Sequence, residues 1–425
     1  MTLLIALCIC LVISYYCSKH ELISPSFLFT AGFILCAVWY FACQERWKSS
    51  LQMRTFLVIV LGVAEFITVA FIVRLFHKKK RRVWLNCDII STSKCVDSFV
   101  VFIEIITILI TLLLIMKLTG TASIPNAIYA FRHANTFTTD VIRLPHFVTT
   151  MRRFCNAAGY WYAYVLIHKY YNKSHKIDKV YAIVVVLSII NGVLLGGRGD
   201  AVNLIAALGV FWYMLNSGDK WGKTLKFKQL FIIIGAGCVI LYSFQALGNA
   251  LGRETDMDAV DYIAQYCGAE IANLNLFLSH YSGSNRAEVW GGQTFYTIID
   301  MIGPRFISGF QKYNLDLPFV ILNGHSVGNV YTIFYPFIYD FGYFGAFILT
   351  MVMAAFSQVV YMKCRDADNK KMPAISRLLY AYIAPAIFLS FFSNKFYEQI
   401  LNLGLVYKLL FWILLNCSLR IKGRK

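Results

Sequence analysis

Apolar residues in this chain come in long unbroken runs, not in the one-sided periodicity of a soluble amphipathic helix. A helix of roughly 17–25 apolar residues is long enough to cross a hydrocarbon core of about 30 Å. Such runs recur at about 2–17, 26–43, 55–76, 97–116, 154–168, 180–196, 201–216, 230–246, 342–362, 374–393 and 400–419. The pattern predicts an all-α polytopic membrane protein with about eleven spans (ten to twelve) and one membrane domain over 1–425. One large non-spanning segment, 247–341, separates the eighth and ninth spans. The stretch 118–153 reads equally as a loop, a surface helix or a re-entrant segment. The N-terminus, MTLLIALCICLVISYYC, has no basic residue before its apolar run and no small-residue cleavage site, so it reads as a retained first span.

Composition agrees with the pattern. The 425 residues are 58% hydrophobic and 15% charged, against roughly 25% charged in soluble domains. Mean hydropathy is +0.60. The net charge of +18 fits basic residues gathered on the cytoplasmic side of a membrane protein better than a nucleic-acid partner. Most of the twelve cysteines lie in apolar runs and behave as small hydrophobes; no zinc spacing or disulfide framework is implied.

Counting Lys and Arg in alternate connections gives an orientation. One set contains Lys19, KKKRR at 78–82, Lys169 to Lys179, Lys220 to Lys228, Lys363 to Arg377 and the tail RIKGRK, and reads as cytoplasmic. The other set is poorer for its length and reads as outward, although Arg46, Lys48 and Arg54 argue mildly against this for 44–54. The C-terminus is then cytoplasmic, and the GGRGD turn at 196–200 shares the outer face with 247–341. That segment carries nine acidic residues against four basic ones, so its arginines are individually placed.

Arg198 lies between glycines at the outer end of one span, with Asp200 opening the next. Its planar fork of donors suits phosphate oxygens, but a tight turn with Arg198 snorkelling or paired to Asp200 explains the spacing alone better. Arg253 and Arg305 lie in glycine-containing breaks, Arg253 among three carboxylates and Arg305 among none. His325 has the side chain suited to a general base near neutral pH, or to a structural hydrogen bond. Tyr331, Tyr335, Tyr339 and Tyr343 recur every four residues, as a sugar-stacking stripe or an interfacial belt. Glu65, Glu104 and Lys408 sit inside apolar runs, by default a transport signal, with buried pairing between helices as the plainer account. No P-loop, HExxH, GxSxG or GxGxxG occurs.

Four stretches, LLGGRGDAVNLIAAL (194–208), YIAQYCGAEIANLNLFLS (262–279), WGGQTFYTIIDMIG (290–303) and GNVYTIFYPFIYDFGYFG (328–345), together resemble the bacterial O-antigen polymerases of the Wzy type. The resemblance implies a multi-pass inner-membrane glycosyltransferase of C-type architecture with its active face periplasmic. Such an enzyme joins oligosaccharide repeat units carried on undecaprenyl pyrophosphate, without metal or cofactor, alongside a chain-length regulator. It assigns Arg198, Arg253 and Arg305 to pyrophosphate. His325, with Glu254 or Asp200 as rivals, is the expected base. Asn329, Tyr331, Tyr339 and Asp340 fall on the sugar side, Asp340 also fixing the turn into the next helix. An O-antigen ligase of the same architecture and a flippase or other transporter are the alternatives.

Overall fold

The computed structural model describes residues 1–78, 92–137, 142–171, 176–217, 221–222, 258–283, 288–308, 310, 313–367 and 373–420. The apolar runs are helices: α1 (Thr2–Cys17), α2 (Pro25–Trp47), α3 (Met53–Phe76), α4 (Lys94–Thr119), α6 (His146–Lys169), α7 (Lys179–Val193) and α8 (Gly199–Ser217). Later in the chain come α12 (Phe334–Asp366), α13 (Ile375–Phe388) and α15 (Leu403–Arg420). The expected span 230–246 lies outside the described residues. Among the described helices α2, α3, α4 and α12 are each long and apolar enough to cross a membrane.

The open segment 118–153 contains α5 (Ile124–Phe137), whose Ala127 and Phe131 pack against Ile115 of α4. It is a surface helix on the bundle. Helix α6 starts at His146 and not near 154, which brings Arg152 and Arg153 inside it.

The described part of 247–341 is not an extended loop. It holds α9 (Ala259–Cys267), α10 (Ala269–Ser279), α11 (Tyr296–Phe306) and an antiparallel hairpin of β1 (Val320–Leu322) and β2 (His325–Gly328), the one departure from an all-α chain among the described residues. Helix α10 is buried along most of its length against α2 and α3. The approach is backbone to backbone: a Cβ on Gly268 would fall 2.7 Å from Trp39 C and Tyr40 N. Asn275 fixes the depth, accepting from Gln52 N (2.9 Å) and Thr55 Oγ1 (2.8 Å) and donating to Ser50 O (2.9 Å).

Polar contacts sort the connections into two ends. At one, Glu21 accepts from Arg74 (3.2 Å), Arg365 (2.8 Å) and the Tyr361 hydroxyl (2.8 Å), and His77 meets Asp366 (2.5 Å). At the other, Arg46 pairs with Asp261, Asn323 donates to Arg46 O, and Arg198 donates to Tyr262. The 44–54 connection thus shares an end with 196–200 and 258–345, the grouping expected from basic residues elsewhere. Arg46, which argued against it, has its carboxylate across the chain in Asp261.

Candidate functional site

The four stretches singled out in the sequence are tied together by hydrogen bonds at this second end. Arg198 in the first donates from Nη1 to the Tyr262 hydroxyl of the second (2.9 Å). Asn273 of the second donates to the carbonyls of Val327 (3.2 Å) and Val330 (2.8 Å), holding the start of the fourth. Asp340 of the fourth, fully buried, accepts from the backbone N–H groups of Gln293 (3.2 Å) and Thr294 (2.6 Å) in the third. Buried carboxylates need such donors, and backbone N–H groups supply them without a counter-charge. Asp340 therefore fixes the 290–294 segment, not the turn into the following helix. That turn comes from Gly342, whose φ of 69° lies in the left-handed region that glycine adopts freely, kinking α12.

Arg198 is 5% exposed at the edge of a cationic vestibule. Its guanidinium lies 5.9 Å from the centre of the Tyr266 ring, which stacks on Phe392 (6.0 Å, 13°). Burial and neighbouring Tyr266 push the Tyr262 hydroxyl up, and Arg198 pulls it down. Arg132 donates to the carbonyl of Gly196, whose φ of +74° makes the turn. Arg152 donates to Asn191 Oδ1 (3.0 Å) and O (2.8 Å), Arg153 covers the Tyr407 ring (4.6 Å), and buried Lys408 lies 4.7 Å from the Tyr382 ring. Asp200, exposed on the first turn of α8, acts electrostatically on both Arg152 and Lys408. Arg132 and Arg198 at the 196–200 turn, with Arg152, Arg153 and Lys408 nearby, outnumber the carboxylates that act on them, Asp200 and Glu104, and the excess of cations suits a polyanion.

Phe392 is also a wall of an adjoining cavity, about 220 Å³, that sets Gln293, Asn329, Asn394, Lys395 and Glu398 among apolar and aromatic walls such as Leu315, Leu317 and Tyr331. Tyr331 and Tyr335 stack at 4.2 Å. A separate space, about 860 Å³, is an apolar groove between α3 and α12 with walls including Leu57, Leu61, Ile338, Ala346 and Phe347. Arg54 stands in it, donating to Tyr281 O (3.3 Å), and Glu65 lies about 16 Å further along the same helix axis.

The expected residues divide accordingly. Arg198 and Asp200 belong to the vestibule, and Asn329 and Tyr331 line the cavity. Tyr339 is buried, with its hydroxyl on Asp316 Oδ2 (2.8 Å), and the tyrosine stripe ends there because Tyr343, past the kink, packs on Tyr281 instead. Tyr339 and Asp340 support the site from behind. His325 is exposed on β2 and lines neither the vestibule nor the cavity. Arg305 lies on α11 with its side chain outside the described part, as are Arg253 and Glu254 altogether. Glu104, fully buried, accepts from Ser188 (2.6 Å) and Asn191 (3.3 Å), a helix-packing role. Sequence reasoning missed Arg152, Arg153, Gln293, Lys395 and Glu398. Only Lys408 had carried a signal, as a charge within an apolar run.

The family model described as O-antigen polysaccharide polymerase Wzy matches residues 1–302. The match takes in the first 150 residues, which hold none of the four stretches, and the first three stretches to residue 302; the fourth lies beyond it. No curated protein and no solved structure matches the chain.

Proposed function

The chain belongs to the O-antigen polysaccharide polymerase Wzy family, and from that premise we propose that it joins undecaprenyl-pyrophosphate-linked repeat units on the periplasmic face of the bacterial inner membrane. The growing glycan leaves its lipid pyrophosphate and passes to the non-reducing sugar of an incoming repeat unit. The observation that supports this reading is the contact between a cationic vestibule and an aromatic-walled cavity carrying several amides across the single ring of Phe392.

Each half has a task in glycosyl transfer. Pyrophosphate is a good leaving group when its developing charge meets fixed cations, and such preorganised stabilisation is the largest catalytic effect available. Arg198, Arg152 and Lys408 supply it, with Arg253 and Arg305 as further ligands. No metal is required by that arrangement. The amides of Gln293, Asn329 and Asn394 offer both donors and acceptors, as sugar hydroxyls require, and Tyr331 gives a stacking face. The groove between α3 and α12 suits a polyprenyl chain, apolar along its walls and headed by Arg54. The partition of basic residues supports the periplasmic orientation and a cytoplasmic C-terminus. A chain-length regulator acts on the number of repeats joined.

The test is a gel of surface polysaccharide from a deletion strain with and without the restored gene. A polymerase predicts collapse of the ladder to core bearing a single repeat. Full-length polymer retained on its lipid carrier would make the chain a ligase, and an unchanged ladder would overturn both readings.

A further inference from the structure

We propose that Glu398 is the general base that activates the acceptor sugar, an inference that rests on the polymerase reading above. Glu398 is the only carboxylate among the described residues lining the cavity beside Phe392. It comes from α14 (Lys395–Ile400), the short helix between the last two long ones. Its side chain is 18% exposed, and Lys395 Nζ holds Oε2 at 2.6 Å. Oε1 makes no hydrogen bond among the described residues, so the carboxylate is oriented by one oxygen and open at the other. A base needs that combination: a fixed position and an unused lone pair within reach of an incoming hydroxyl.

The same wall holds two polar atoms that lack a partner. Ser393 Oγ and Asn394 Oδ1 are buried and make no hydrogen bond among the described residues, although Asn394 is 4% exposed and its Nδ2 is satisfied by Thr294 O at 2.8 Å. A buried amide oxygen without a donor is destabilising. It is met when a ligand brings hydroxyl donors, as a sugar does. The orphaned atoms are sequence neighbours of Lys395 and close to Glu398 in one short turn, so a sugar that satisfies them lies against the carboxylate. His325, exposed on its hairpin, has no such setting.

The step balances without a co-reactant. The acceptor hydroxyl gives its proton to Glu398, and its oxygen bonds to the anomeric carbon of the growing chain. The bond from that carbon to the pyrophosphate oxygen breaks, and the electron pair leaves with undecaprenyl pyrophosphate. The vestibule cations take up the new charge, while solvent removes the proton from Glu398 before the next cycle.

The experiment compares the wild type, Glu398→Gln and Lys395→Met, purified in lipid nanodiscs and supplied with lipid-linked repeat units. Glu398→Gln keeps shape and loses basicity: kcat is expected to fall about 10²- to 10⁴-fold, KM to stay within threefold, and the acid limb of the pH–rate profile to vanish. Lys395→Met keeps the carboxylate and is expected to retain at least a tenth of the activity. Thermal unfolding of each variant checks that it is folded. Turnover by Glu398→Gln within tenfold of wild type, or equal losses in both variants, would reduce Glu398 to a partner of Lys395 and overturn the proposal. Failure of the wild-type protein to polymerise would instead overturn the polymerase reading.

Discussion

Replacing Arg198 by alanine separates the two things its guanidinium does. Its structural share includes a hydrogen bond of 2.9 Å to Tyr262 and a cation–π contact to Tyr266 at 5.9 Å. Leaving the buried Tyr262 hydroxyl without Arg198 costs about 1–3 kcal/mol of stability. The catalytic share is larger if Arg198 meets the charge developing on the leaving pyrophosphate, since loss of one preorganised donor slows reactions by about 10²- to 10³-fold, or roughly 2.7–4 kcal/mol. Tyr262→Phe is the control, because it removes the same hydrogen bond and keeps the ring. The assay is the initial rate of polymer formation from lipid-linked repeat units at matched, folded protein. Arg198→Ala is expected to lose at least 100-fold, Arg198→Lys to recover part because it keeps the charge without the fork, and Tyr262→Phe to stay within about tenfold. Arg198→Ala and Tyr262→Phe losing equally would refute the reasoning, since Arg198 would then act only through the packing of α9.

Three further outcomes follow from packing and burial. Glu270 is fully buried, with Cys36 Sγ at 3.5 Å, and burial pushes its carboxyl well above the usual range. The folded state then holds a proton that the unfolded chain releases, so stability is full below the ordinary carboxylate range and falls as pH rises towards the raised value. Thermal melts from pH 4 upward should show that decline in wild type and a flatter, higher curve for Glu270→Gln. Gly268→Ala drives a methyl against the backbone of Trp39 and Tyr40 and should cost about 1–3 kcal/mol, read as a lowered melting temperature. Glu104→Leu strips the acceptor from Ser188 and Asn191 and should lower folded yield, while Glu65→Leu should leave polymer length unchanged. A transporter would instead lose activity in both with folding intact, as a polysaccharide gel and detergent-size chromatography would show.

Much of the fold could be read from the chain because bilayer crossing is a local property: an apolar run of the right length is its own signature. Where that signature was diluted, the reading slipped. Helix α6 begins at His146, but Arg152 and Arg153 interrupt its first turns, so the apolar window opened only at 154 and both arginines were counted as loop residues. The segment 247–341 looked like a loop because α9, α10 and α11 are too short or too polar to register as spans. Yet α10 is buried, and its depth is fixed by one asparagine reaching three partners around residues 50–55.

The site was legible only in part for the same reason. Arg198 stood out because glycines flank it, and Asn329 and Tyr331 because they lie in an unusually polar approach to an apolar run. Lys395 and Glu398 form an i,i+3 pair of a kind that decorates any exposed helix, and nothing local says that Ser393, Asn394 and Phe392 turn that short helix into the wall of a cavity. The basic residues of 44–54 erred the other way. A count of charges weighs Arg46 by its sign alone, whereas its carboxylate, Asp261, lies far along the chain. Charge counting therefore works where cations face water singly and misleads where they are paired across the fold. The residues proposed for the chemistry escape a charge count in other ways: Arg198 is held by the neutral Tyr262, far along the chain, and Glu398 by Lys395 one turn away.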